Sequence, residues 1–177
     1  AASDQGVTYV APQISLAVLT GKSEYMSGSD DKWATATNGM TLVAGDSIRT
    51  LTVSTAVLHF EDGSKVKLEQ NTELAIEVFD ILDGGPPEGQ RVAQIRIVNG
   101  EIAFDVASAP SPPNIWEFLT RDSIIAIHGT PGEIRSYELE ANTKVNILEG
   151  EATAAHVGLN EVTGEPELDL FTVVGGV

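Results

Sequence analysis

Gln94-Ile95-Arg96-Ile97-Val98-Asn99-Gly100-Glu101-Ile102-Ala103-Phe104-Asp105-Val106 is the stretch whose pattern decides the fold. Ile95 and Ile97 alternate with Gln94 and Arg96; beyond Asn99-Gly100, Ile102, Phe104 and Val106 alternate with Glu101, Ala103 and Asp105. A two-residue repeat puts one face of a strand in a core and the other in water. Asn-Gly between two such runs is a strong hairpin signal, because a type I′ turn needs positive φ at its central residues. The stretch therefore predicts two half-buried strands joined by a tight turn at Asn99 and Gly100.

The same pattern spreads outward. Val66 and Leu68 alternate with Lys65 and Lys67, and Leu74, Ile76 and Val78 with Glu73, Ala75 and Glu77. Asp62-Gly63 is a second hairpin signal, and Gly45-Asp46 and Glu149-Gly150 read as further tight turns. Later strands are expected at 124–127, 134–139, 145–148 and 168–174. No convincing helix is present; residues 30–36 could form one helical turn at most. Residues 83–90 and 107–114 are rich in proline, which has no N–H for a ladder, so both segments must leave the sheet. Ile97-Val98-Asn99-Gly100-Glu101 is echoed by Ile147-Leu148-Glu149-Gly150-Glu151, a weak internal repeat. The fold class is all-β, built either as stacked β-coils or as a sandwich. The organisation is an N-terminal extension (1–13), one β-domain (14–157) and a C-terminal extension with a strand (158–177).

Composition bounds the function. The chain has 177 residues, 42% of them hydrophobic and 20% charged, as in an ordinary globular domain. Twenty-six acids against ten bases give a formal charge of −16, which repels phosphate backbones and excludes nucleic acid as a partner. No apolar run approaches the ~18 residues of a membrane span. Cysteine is absent, so stability comes from packing and ladder hydrogen bonds, not disulfides. The start Ala1-Ala2-Ser3 has the small residues that signal-peptide cleavage leaves, which points to export.

The order of the turn motifs resembles the FecR domain family. Gly45-Asp46-Ser47-Ile48-Arg49-Thr50, then Asp62-Gly63-Ser64, then Asn71-Thr72-Glu73-Leu74 are similar to its GD-x-I-R-T turn, DGS hairpin and N-T-x-L strand entry. Trp33 and Gly39-Met40 lie upstream, where the family has a tryptophan and a glycine approach. Gly100-Glu101-Ile102-Ala103-Phe104-Asp105-Val106, Gly129-Thr130 and Leu148-Glu149-Gly150 complete the series. The likeness covers roughly residues 14–157. It departs in having no aromatic after Gly129-Thr130 and in the proline-rich insert near 109–113. The chain as given contains neither the anti-sigma region nor the transmembrane helix found in sigma-regulating members. The resemblance implies an extracytoplasmic β-domain (secreted, cell-surface or periplasmic), and makes Gly45, Asp46, Asp62, Gly63, Asn99, Gly100, Gly129, Thr130 and Gly150 structural turn residues.

No catalytic constellation is legible. His59, His128 and His156 lack metal-site spacing, no G-x-S-x-G elbow exists, and Ser64 is explained by its hairpin. No enzyme activity and no cofactor are expected. Calcium is the one candidate ion, through Asp30-Asp31 and Asp80 with Asp83 on loops, and a solvated acidic surface explains the same residues. Trp33 is expected in the core, with Trp116 and Phe118 on one inward strand face. The apolar runs holding Ile14, Leu16 and Val18 and holding Leu168, Leu170 and Val173 must pair, because loose β segments aggregate. They pair within the domain or add to a second copy. The expected function is a structural or protein-interaction module that self-associates, even into a filament. The alternative is a periplasmic sensing domain that relays a receptor's state to a sigma-factor system.

Overall fold

A computed structural model describes residues 12–82, 90–107, 115–128, 131–137, 143–159 and 166–175. The chain forms β1 (Ile14–Thr20), β2 (Ser23–Met26), β3 (Ala34–Thr35), β4 (Thr41–Leu42), β5 (Ser47–Thr50), β6 (Thr55–Phe60), β7 (Lys65–Leu68) and β8 (Glu73–Leu82). It continues through β9 (Gln90–Asp105), β10 (Ile115–Leu119), β11 (Ser123–Ile127), β12 (Pro131–Ser136), β13 (Thr143–Ile147), β14 (Gly150–Leu159) and β15 (Pro166–Gly175). No helix occurs among the described residues; the stretch 30–36 contributes only the two residues of β3.

The strands make two sheets that share β9. The first runs β13-β12-β9-β7-β6-β1-β4; the second runs β15-β14-β11-β10-β9-β8-β5-β2-β3. Residues 90–99 of β9 pair with β8 in the second sheet, and residues 100–105 pair with β12 in the first. The expected hairpin at Asn99-Gly100 is therefore corrected: this is one sixteen-residue strand that changes sheet at its middle. Gly100 does have positive φ, +114°, as a turn would need, but the bend carries the strand across the sandwich and not back on itself. Glu149-Gly150 is a crossing too, leading from β13 in the first sheet to β14 in the second. The internal repeat thus marks two sheet crossings of opposite sense.

The pattern is general. Eight described residues have positive φ, and seven of them (Gly21, Gly39, Gly45, Val53, Asn71, Gly100 and Gly150) lie where the chain passes between the sheets. Only Gly63 belongs to a hairpin within one sheet, the predicted Asp62-Gly63 turn joining β6 and β7. A crossing has to reverse the local twist within a few residues, which L-residues do poorly. Gly129-Thr130 lies outside the described residues.

The alternating residues face the core as the two-residue repeat predicts. Ile95, Ile97, Ile102 and Phe104 are buried, as are Val66, Leu68, Leu74 and Ile76. One hydrophobic core collects inward residues of both sheets. Aromatic rings close the gap: Phe60 of the first sheet meets Phe79 and Trp116 of the second at centroid distances of 5.0 and 4.7 Å, and Phe104 meets Phe118 at 5.0 Å. The two Phe60 contacts are edge-on and the Phe104–Phe118 pair is tilted; aromatic pairs of this kind add about 0.5–1.5 kcal/mol each beyond their burial. Trp116 and Phe118 point inward together, as expected. Trp33 does not; it is half-buried beneath the Arg49 guanidinium, 4.2 Å from its ring centre.

The terminal runs resolve differently. Ile14 and Leu16 are buried in the core and Val18 packs against it. One side of β1 pairs with β6, and the other is taken by β4 and by bonds from Leu16 N to Met40 O and from Gly39 N to Leu16 O. Both edges of the strand that carries Ile14, Leu16 and Val18 are thus occupied within the domain. β15, which carries Leu168, Leu170 and Val173, pairs along its whole length with β14.

Three substitutions check this account. A Cβ on Gly100 would meet Thr72, and its φ suits no β-branched residue. Gly100→Val should lower unfolding free energy by roughly 3 kcal/mol or more, against ~1 kcal/mol for Gly39→Ala, where nothing stands within 4 Å. Val53 is a β-branched residue at φ +53° and 76% exposed. Val53→Asn should stabilise the domain by about 1 kcal/mol, because asparagine tolerates this conformation far better. Denaturant titration reads all three.

Candidate functional site

The motif residues converge on the crossings, and their chemistry there is hydrogen bonding to backbone. Thr50 ends β5 and Thr72 precedes β8; both are buried. Thr50 N donates to Thr72 O (2.9 Å), and Thr72 N donates to Thr50 Oγ1 (3.0 Å). Glu101 N, just past the bend in β9, donates to Thr72 Oγ1 (3.1 Å). The Thr72 hydroxyl in turn faces the carbonyls of Glu101 at 3.1 Å and Gln70 at 3.2 Å. Glu69 N donates to Glu101 O (3.0 Å), and Asn99 Nδ2 to Asn71 O (3.2 Å). Three motifs far apart in sequence thus meet at Thr50, Thr72 and Glu101 and form one knot. Each buried group left unpaired would cost about 1–3 kcal/mol.

Asp46 does similar work at the next crossing. It is 8% exposed; Oδ1 accepts from Gly28 N (3.1 Å) and Oδ2 from Val43 N (2.9 Å). Gly45 N donates to Ile76 O and Ile76 N to Asp46 O, which fastens this turn to β8. At the DGS hairpin, Asp62 Oδ1 accepts from Ser64 N and Oδ2 from the indole N–H of Trp116, each at 2.9 Å. Ser64 is fully buried, and its hydroxyl accepts from Ala107 N (2.9 Å). The serine is hairpin chemistry, as its position predicts.

One crosslink escaped the sequence reading. Asp122, in the β10–β11 turn of the second sheet, accepts through Oδ1 from Thr120 Oγ1 (3.0 Å) and from Thr143 Oγ1 of β13 in the first sheet. Thr120-Arg121-Asp122-Ser123 is a polar turn sequence, but nothing local announces a partner on another sheet.

The remaining candidates are scattered. His59 lies exposed on the outer face of the first sheet, opposite Ser15 and Lys65. His128 is exposed, with Nε2 3.5 Å from Thr153 Oγ1. His156 is in register with Ser123 on β14. Asp30 and Asp31 are exposed beside a turn, whereas Asp80 sits within β8 opposite Val92 and not on a loop; Asp83 lies outside the described residues. Among the described residues no three His, Asp or Glu side chains converge as a metal site would require. A shallow cavity of about 250 Å³ is lined by Glu133, Arg135, Lys144, Val145 and Asn146 at the edge of the first sheet. Arg135 there is held by Glu101, 2.9 Å away. No described helix is long and apolar enough to cross a membrane.

A family model described as FecR protein matches residues 46–153. No curated protein sequence matches the chain. Two crystal structures of a candidate anti-sigma factor from Parabacteroides distasonis align with it, at 14% identity with a TM-score of 0.47 and at 15% with 0.46. Each alignment covers 70% of this chain and 58% of the other, so the chain spans less than two thirds of those proteins.

The knot predicts a specific sensitivity. Thr72→Val keeps the shape and removes the hydroxyl, stranding Glu101 N; it should cost about 2–3 kcal/mol. Thr52→Val, on an exposed hydroxyl that bonds only Asn71 Oδ1 (3.1 Å), should cost under ~0.5 kcal/mol. Equal losses for the two variants would remove the knot's special role.

Proposed function

The chain belongs to the FecR family, and from that premise we propose that it is a non-catalytic, extracytoplasmic domain that receives a signal through protein contact and passes it to a regulatory partner. The family match over residues 46–153 carries this reading. The structure supports it in one respect. Asp46, Thr50, Asp62, Ser64 and Thr72, the polar residues of the signature, are committed to backbone hydrogen bonds inside the scaffold. The signature therefore maintains a frame, and recognition falls to the outer faces and loops, which differ from one scaffold to the next. The anti-sigma designation of the Parabacteroides proteins is compatible with this reading and does not add to it.

The charge fits such a role. At −16, the domain repels nucleic acid and anionic lipid and favours a basic or neutral protein surface. Assembly into a filament has less support, since the strand carrying Ile14 and Leu16 is closed within its own sheet.

The reading is tested in cells that express the protein. The chain should fractionate outside the cytoplasm, and deletion of its gene should shift a discrete set of transcripts together. Restoring the wild-type gene should reverse that shift. An unchanged transcript profile under every growth condition in which the protein is made would overturn the signalling role.

A further inference from the structure

The two crossings marked by the internal repeat differ in one flank. At the first, both halves of β9 are paired on both edges: the half before the bend lies between β8 and β10, the half after it between β7 and β12. The chain of β7 and β8 crosses alongside β9 and flanks it on both sides of the bend. At the second crossing, β14 lies between β11 and β15, but β13 is paired with β12 alone among the described residues. β15 flanks β14 as far as Gly175, where it ends, packed so closely on Ile147 O that a Cβ would collide with it. The flank of β13 that would continue the line of β15 is open. The bond from Leu148 N to Pro131 O sets which groups point that way. Antiparallel pairing turns main-chain groups alternately toward and away from the partner. Lys144 and Asn146 therefore turn theirs to β12, while Thr143 and Val145 turn N–H and C=O to the open edge. On the outer face, Lys144 is exposed and forms no ion pair among the described residues; Arg135, in register with it, is held by Glu101. Both cations line the cavity of about 250 Å³, with Glu133, Val145 and Asn146.

We propose that the open edge of β13 takes one extended segment of a partner protein by strand addition, with a carboxylate opposite Lys144 and neutral residues elsewhere. The main chain supplies the attachment. Thr143 and Val145 each offer one donor and one acceptor, which an added strand satisfies without any change in the ladder to β12. The missing flank supplies the direction: a strand on the line of β15 runs antiparallel to β13. Charge supplies the choice of segment. Opposite charges on directly facing residues attract and like charges repel, and a lysine on a sheet edge turns away strands that cannot answer it. Glu133 does not cancel this preference, because it stands on β12, two strand spacings or about 10 Å from an added strand. The −16 of the whole chain repels a long acidic partner, so a single acid placed at Lys144 in a neutral segment is the best match. This edge gives a surface to the protein contact of the proposed function. Purified protein tests it without a transcript readout, so the two readings fail separately.

Amide NMR of the isotope-labelled full chain tests it, with the end-capped peptide Ser-Thr-Val-Glu-Val-Thr-Ser as probe. The peptide should shift the Thr143 and Val145 amides and slow hydrogen exchange at Val145, at concentrations up to ~5 mM, since few main-chain bonds offset the ordering of a short segment. The same peptide with lysine at its centre should bind about tenfold more weakly. Lys144→Glu should reverse that order. Lys32→Glu, the same charge change on an exposed residue before β3, should leave it unchanged. Circular dichroism and melting temperature confirm that each variant is folded. Absence of shifts at Thr143 and Val145 overturns the proposal. So do equal binding of the two peptides and equal effects of Lys144→Glu and Lys32→Glu. The same shifts on raising protein concentration without peptide would make a second copy the occupant and overturn it. So would a Val145 amide that is slow in the peptide-free chain and speeds up when Gly176 and Val177 are removed, since the chain's own end would then hold the edge.

Discussion

A strand that leaves one sheet and enters another exposes its backbone at the bend, and in this protein the Thr72 hydroxyl answers that exposure. Gly100 turns β9 at φ +114°. The next residue, Glu101, is already in register with Arg135 of β12, but the β7 register ends at Leu68 opposite Ile102, and Thr72 Oγ1 takes the Glu101 N–H hydrogen bond. Thr72 is itself fixed by Thr50 through the reciprocal bonds Thr50 N to Thr72 O and Thr72 N to Thr50 Oγ1. Side chains from β5 and the β7–β8 crossing thus satisfy a bend in β9. A buried amide without water or partner is costly, so the bend and the knot require each other.

The rest of the architecture follows from repeated crossing. A chain that switches sheets many times makes most contacts between residues distant in sequence, and no short segment is a stable unit by itself. The core is correspondingly shared: Phe60 and Phe104 reach from the first sheet to Phe79, Trp116 and Phe118 in the second. Polar crosslinks run with the apolar ones, as where Trp116 donates to Asp62 and Thr143 to Asp122. The scaffold is densely hydrogen-bonded where the family signature lies. Its outer faces are where this chain can differ from its relatives.

Alternation made the strands and their buried faces legible, from Val66 and Leu68 through Ile102 and Phe104 to Trp116 and Phe118. That succeeded because side-chain direction in a strand is a strictly local property. Asn99-Gly100 was misread because Asn-Gly reports only the need for positive φ. A hairpin and a sheet crossing share that need, and they differ in which distant strand comes next. Trp33 was misplaced for a related reason: its hydrophobic bulk fits a core, but the Arg49 face that covers it belongs to another strand. Asp46 and Ser64 can be recognised as turn residues, since Asp46 accepts from Val43 N three residues back and Ser64 N donates to Asp62 Oδ1 two residues back, both local turn bonds. The meeting of Thr50, Thr72 and Glu101 left no local trace beyond a resemblance to a known series of motifs.

Native-state hydrogen exchange tests the central claim most directly. If the knot closes the sandwich, the amides of Thr50, Thr72 and Glu101 should exchange only through global unfolding, with protection free energies equal to that from denaturant titration. They should stand among the slowest in the protein, although Thr50 and Thr72 lie at strand ends, where fraying is normal, and Glu101 at a bend. Rapid exchange at these three amides, while Ile95 and Phe104 in the strand interiors remain protected, would contradict the account.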